Sequence, residues 1–233
     1  MKTCLILIHL GLGDLILCNG MIREIKKCYD YVFIPVKKHN LNNFIDLFKD
    51  DKSIKFLICE SDNDALLYKN HIYDNVIKVG IFSDFYSNNN VDFCETFYKQ
   101  ANISYNKRWD SFYYQRNIEK ENELFDKLVY LKKDYVFVHQ DIERNMKINI
   151  ESNKIICPNH KFGEINNFTI FNHIKVLENA KEIHCIDSSF ACFIDHVPSL
   201  KNTPKFIHRY VRKHNENPVY KNNWNILNES RFY

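Results

Sequence analysis

The chain has 233 residues, 45% of them hydrophobic and 26% charged, and its 5 glycines and 5 prolines are too few for a collagenous or low-complexity sequence. Lys plus Arg number 32 against 29 Asp plus Glu, a formal net charge of +3 that gives no electrostatic case for a nucleic-acid partner. The 15% aromatic content argues for a packed core and against disorder.

Short β-rich apolar runs alternate with longer segments of helical period, the pattern of a chain that builds parallel sheets from β-α-β units. The first run, residues 4–9, leads straight into a Gly-x-Gly-Asp turn and not into a small-residue cleavage site, so it reads as a buried strand and not as a signal segment. Further strands are expected at 31–36, 54–59 and 76–79, with helices at 14–27, 40–48, 63–69 and 91–100. The polar, aromatic-studded stretch 105–117 is a candidate hinge, and a strongly charged helix follows at about 119–131. The second half restarts with strands at 135–139 and 154–157, a helix near 169–180, a strand at 182–186, a helix opening after Ser188 and a strand at 205–208. The halves are alike in element order and length, which predicts domains 1–117 and 118–233. The polar tail from Asn215 carries Trp224, Phe232 and Tyr233 and is expected to dock.

No apolar stretch approaches the roughly 20 residues of a membrane-spanning helix, so the chain is read as cytoplasmic with no transmembrane segment. Its eight cysteines, Cys4, Cys18, Cys28, Cys59, Cys94, Cys157, Cys185 and Cys192, mostly sit in apolar runs without metal-ligand spacing and read as reduced thiols. The sequons at Asn102, Asn167 and Asn228 matter only in a secreted chain. Ten histidines show neither His-Glu-x-x-His nor paired spacing, and Asp62-Asn63-Asp64 sits where a helix cap is needed, so no metal is expected.

Three turns carry the candidate chemistry. In Ile8-His9-Leu10-Gly11-Leu12-Gly13-Asp14, followed by Asn19-Gly20, two glycines after a buried strand let the backbone approach a ligand. Ile16 stands where a dinucleotide fingerprint has its third glycine, and the second strand ends at Lys37 with no acidic residue, which disfavours NAD. The plain alternative is a strand-to-helix turn with Asp14 as N-cap. In Val138-His139-Gln140-Asp141-Ile142-Glu143-Arg144, with Lys147 beyond, Arg144 and Lys147 suit a pyrophosphate and His139 a further hydrogen bond. The alternative is a solvated turn in which Asp141 and Glu143 pair with Arg144. In Asp187-Ser188-Ser189 two hydroxyls and free amides offer phosphate contacts, the alternative again being a cap. Residues 205–214, which include Lys205, His208, Arg209, Arg212, Lys213 and His214, read as a solvated edge, with contact to an anionic acceptor or to nucleic acid the lesser reading. Trp109 is a candidate platform for a sugar ring.

The three turns, together with Lys107-Arg108-Trp109-Asp110-Ser111-Phe112-Tyr113 and Ile183 to Phe190, resemble glycosyltransferases of the GT-B fold, in particular compact bacterial and viral sugar transferases and more distantly heptosyltransferases and fucosyltransferases. The resemblance implies an α/β architecture of two small Rossmann-like domains facing across a cleft. It implies an acceptor on the N-terminal domain and a nucleoside-diphosphate sugar on the C-terminal one. A hexosyl or deoxyhexosyl group would pass with inversion to a hydroxyl of a glycan or other acceptor, with no metal, no other cofactor and no nucleic acid. It puts the general base on Asp14 and the donor contacts on Gly11, Gly13, His139, Arg144, Lys147, Asp187, Ser188 and Ser189. His9, Asn19 and Trp109 fall on the acceptor side or the cleft. Ser189 stands where heptosyltransferases carry glycine. The residues alone leave two other readings: a Rossmann-type nucleotide-sugar oxidoreductase or epimerase, and an inactive nucleotide-binding module.

Overall fold

The computed structural model describes residues 1–83, 92–129, 134–152, 155–158, 168–212 and 218–229. Val91, Leu131, Lys154, Asn167, Lys213, His214, Phe232 and Tyr233, which entered the expectations above, lie outside these residues. The chain divides into two compact units, Met1–Gln115 and Arg116–Tyr233.

In unit one, strands β1 (Thr3–Leu7), β2 (Tyr31–Lys37), β3 (Ile54–Cys59) and β4 (Asn75–Lys78) form a parallel sheet in the order β3-β2-β1-β4. Cys4 to Leu7 of β1 are fully buried, as an apolar run without polar alternation requires of a strand covered on both faces. The expected helix 14–27 is instead two, α1 (Leu12–Leu17) and α2 (Asn19–Lys26), broken at Cys18, whose ψ is 0°. Helices α3 (Leu41–Leu47), α4 (Asp62–Leu67) and α5 (Phe93–Gln100) follow. Ser61 caps α4, and Asp64 closes the capping box by accepting from the Ser61 amide, so Asp64 supports a helix start as its position suggested.

Residues 105–115 of the candidate hinge belong to unit one and residues 116–117 to unit two, so the division between the units falls inside it. Its residues form α6 (Lys107–Asp110), whose Arg108 is 0% exposed, with its guanidinium 4.4 Å from the Trp109 ring and Nη1 donating 2.8 Å to the Tyr105 hydroxyl. Buried Asn19 accepts from the Tyr113 amide at 3.0 Å and donates to the Tyr113 carbonyl at 3.1 Å, fixing the same stretch to α2. A Cβ on Gly20 would lie 2.0 Å from the Lys107 carbonyl oxygen, so only glycine admits this approach of α2 and α6. Within this stretch Tyr105 and Trp109 pack against the buried guanidinium of Arg108.

Unit two opens with Arg116, which pairs with Glu121 and, at 2.7 Å, with Glu178, tying α7 (Ile118–Val129) to α8 (Ile174–Glu178). Its strands β5 (Val136–His139), β6 (Ile155–Ile156), β7 (Glu182–Cys185), β8 (Lys205–His208) and β9 (Trp224–Leu227) form a parallel sheet in the order β6-β5-β7-β8-β9. Phe190, on α9 (Ser189–Ile194), packs 5.7 Å from the Phe137 ring of β5. The docking of the tail takes the form of β9 beside β8. Fully buried Asp195 holds it by accepting from the amides of Lys221 (2.9 Å) and Asn222 (3.0 Å) and from Trp224 Nε1 (3.1 Å).

All eight cysteines are free thiols. Among the described residues no helix is long and apolar enough to cross a membrane, and no group of three His, Cys, Asp or Glu side chains is placed to hold a metal ion.

Candidate functional site

Ligands of open parallel sheets bind beyond the carboxyl ends of the strands, where the strand order reverses. In unit one that point lies between β1 and β4, both of which pair in parallel and run into loops at the same edge. The β1 loop carries His9, Gly11 and Asp14 there, and β4 leads to Gly80. Gly80 has φ +64°, and a Cβ on it would lie 2.6 Å from the His9 ring and 2.9 Å from Phe97. Glycine at 80 thus makes room for half-buried His9, which stacks on Phe97 at 5.8 Å.

Asp14 is not the cap of α1: the N-cap is Gly11, and Asp14 stands in the first turn, half-buried. Its carboxylate folds back over Gly11, where an added Cβ would meet Oδ2 at 2.4 Å. Gly11 therefore gives Asp14 its position, and no side chain covers the turn at residue 11. Gly13 is the second residue of α1 and half-buried. Trp109 is half-buried against Tyr105 and Arg108, and Asn19 has no exposed surface, so Asn19 serves the Tyr113 segment and cannot meet an acceptor.

In unit two the reversal lies between β5 and β7. His139, ending β5, takes a hydrogen bond between Nδ1 and the Ser188 hydroxyl at 2.9 Å, while its carbonyl accepts from the Ile186 amide at 3.1 Å. The His139 ring lies 4.4 Å from that of Phe190. Asp187, between Ile186 and Ser188, is 4% exposed and accepts from Arg209 Nε at 3.3 Å and from the Tyr220 hydroxyl at 3.0 Å. Its carbonyl accepts from Arg212. Burial raises the Asp187 carboxyl above its ordinary range despite the arginines. Burial likewise lowers the Arg212 guanidinium, helped by the nearby charge of Arg144. Arg144 pairs with Asp141 at 2.6 Å across a tight turn, and Lys147 is exposed beyond it. Ser188 and Ser189 are half-buried at the start of α9.

Arg144, whose charge acts on Arg212, and Arg209 and Arg212, which both bond Asp187, thus form a group of three cations. The sequence singles out the first and gives the other two contact with an anion only as the lesser reading, because residues 205–214 read as a solvated edge. The structure corrects that reading. Lys205 is fully buried, donating to the carbonyls of Thr203 (2.9 Å) and Lys201 (3.2 Å), and His208 is buried on β8. The signal available was position: Arg209 and Arg212 follow a strand, as His139 and Asp187 do.

His208 is pushed down to about 4 by burial and by neighbouring His184, against an ordinary value near 6.5. A folded-state value below the unfolded one means the unfolded chain binds more protons between the two. The neutral-ring contribution is therefore full above pH 6.5 and lost as pH falls toward 4, by roughly 3 kcal/mol. Denaturant unfolding of wild type and His208→Asn across that window checks this, the variant showing the shallower decline.

No protein-family model matches the sequence. No curated protein matches it either. Solved structures do resemble the fold. The glycosyl transferase family 9 protein from Veillonella parvula DSM 2008 superposes with a TM-score of 0.55 at 7% identity, over 88% of this chain and 80% of that one. E. coli ADP-heptose lps heptosyltransferase II gives 0.55 at 8% identity, over 89% and 84%. E. coli heptosyltransferase WaaC with ADP-2-deoxy-2-fluoro heptose gives 0.52 at 12% identity, over 97% and 93%. With its two parallel α/β units, this chain has the fold of two Rossmann-like domains found in GT-B glycosyltransferases.

Proposed function

We propose that the chain is a glycosyltransferase that moves a sugar from a nucleoside-diphosphate sugar to an acceptor hydroxyl, with inversion and without a metal. One observation carries the reading: each unit sets its chemically distinctive turn at the reversal point of its own parallel sheet, the carboxylate of Asp14 in unit one and the arginine-ringed Asp187 turn in unit two. Unit two is the donor domain and unit one the acceptor domain.

In this reading Arg144, Arg209 and Arg212, with Lys147 farther out, neutralise the charge that grows on the leaving nucleoside diphosphate. Ser188 and Ser189 hydrogen-bond its oxygens, and His139 fixes the Ser188 hydroxyl. Asp187 does not touch the phosphate; it orients Arg209. Asp14 takes the proton of the acceptor hydroxyl as that oxygen bonds to the anomeric carbon and the bond from anomeric carbon to phosphate oxygen breaks. His9, on the same edge, contacts the acceptor. Gly11 and Gly13 shape the turn that carries Asp14 and are not donor contacts.

A thermal-shift panel of UDP-, GDP-, CMP-, dTDP- and ADP-sugars, with NAD(P), tests this. The ADP-sugar belongs in it because two of the similar structures are described with one. A ligand at about 100 times its dissociation constant stabilises by about 2.7 kcal/mol. A selective shift with one nucleotide sugar is expected; a shift with NAD(P) alone would overturn the reading in favour of redox chemistry.

A further inference from the structure

Unit two carries a row of polar groups that the transfer chemistry leaves unused. Glu182 and His184 lie on β7, His208 ends β8 and Tyr210 follows it. His184 Nε2 lies 3.3 Å from Glu182 Oε2, His184 Nδ1 lies 2.9 Å from His208 Nε2, and His208 Nδ1 lies 3.0 Å from the Tyr210 hydroxyl. His184 is 7% exposed and His208 3%, and burial favours the neutral form of both rings.

A neutral imidazole has one proton, and this row admits one arrangement in which no two lone pairs face each other. The Glu182 carboxylate only accepts, so His184 carries its proton on Nε2. Its bare Nδ1 then accepts from Nε2–H of His208. The bare Nδ1 of His208 in turn accepts the hydroxyl proton of Tyr210. The phenol proton is committed inward, and the Tyr210 oxygen keeps accepting lone pairs that no donor among the described residues meets. Tyr210 is half-buried at the carboxyl edge of the sheet, between Arg209 and Arg212, both of which reach Asp187.

We infer that Tyr210 is a specificity-determining residue of the donor site, accepting a hydrogen bond from a hydroxyl or amine of the nucleotide sugar. The inference rests on the donor-site reading of unit two. Phosphate oxygens accept and do not donate, so Tyr210 offers the pyrophosphate nothing and reads another part of the same molecule.

The test is titration calorimetry on the full chain, wild type and Tyr210→Phe. The ligands are inorganic pyrophosphate, the diphosphates UDP, ADP, GDP and CDP, and the sugars UDP-glucose, ADP-glucose and GDP-mannose. Loss of one hydrogen bond is expected to weaken the preferred nucleotide sugar by about tenfold and leave pyrophosphate within about twofold. Weakening already seen with the sugar-free diphosphate places the donor group on the nucleoside; weakening only with the sugar attached places it on the sugar. Unchanged pyrophosphate binding also reports that the variant is folded. Equal nucleotide-sugar affinity in the two proteins would overturn the role of Tyr210 and leave the site standing. Parallel loss of pyrophosphate binding would overturn it too, making Tyr210 a structural residue. A wild-type chain that binds neither pyrophosphate nor nucleotide would overturn the donor-site reading, and this inference with it.

Discussion

Asp14→Asn is expected to lower sugar transfer by about 10²–10⁴-fold, the usual worth of a positioned general base, and to leave nucleotide-sugar affinity unchanged. The amide keeps the size and placement of the side chain but cannot take a proton at pH 7. Because Asp14 sits in unit one, the proposed acceptor domain, the loss is expected to fall on kcat and not on the donor's dissociation constant. Gly11→Ala supplies the partner experiment. Its Cβ would occupy the space of the Asp14 carboxylate, 2.4 Å from Oδ2, yet it meets no backbone atom within reach. The carboxylate swings aside at little cost in stability, so turnover falls while the unfolding midpoint holds. Single-turnover rates beside equilibrium binding check both variants. Equal loss of donor binding and rate in Asp14→Asn would rule out the base role.

Asp187→Ala is expected to abolish measurable donor binding and to lower stability by about 3 kcal/mol, because half-buried Arg209 and the Tyr220 hydroxyl both lose a buried acceptor. Arg209 Nε and the Tyr220 hydroxyl both lose their acceptor, while Arg212 keeps the Asp187 carbonyl. Asp187→Asn separates charge from hydrogen bonding. The raised pKa of Asp187 means that burying the ionised carboxyl costs more than the arginines return, so the uncharged isostere is expected to lose little stability. It is nevertheless expected to weaken donor binding, because Arg209 is no longer held by an ion pair. Urea unfolding and calorimetric titration of the pair check this; an alanine variant as stable as wild type and binding donor normally would refute it.

The strands of both units were legible because buried parallel strands are continuous apolar runs whose ends are set by turn residues: residues 54–59 were placed to the residue, and 205–208 likewise. Breaks inside helices were not legible. Nothing in residues 14–27 marks Cys18 as a boundary, and the interruption shows only in its backbone, whose ψ is 0°. Strand β9 was missed because Trp-Asn-Ile-Leu is short and flanked by polar residues, and its place is held by the distant carboxylate of Asp195.

By itself the sequence determined the fold class, the position of the three turns and the residue types they carry, because hydrophobic period and turn chemistry are local properties. Only the tertiary structure decided what each polar residue does. Asn19 looked like a ligand contact and is a buried clamp; Arg209 and Arg212 looked solvated and converge on Asp187; Gly11 looked like a phosphate glycine and makes room for Asp14. The reason is physical: a side chain's role depends on the burial and partners it meets across the fold, and those partners lie up to 94 residues away, beyond the reach of any local pattern.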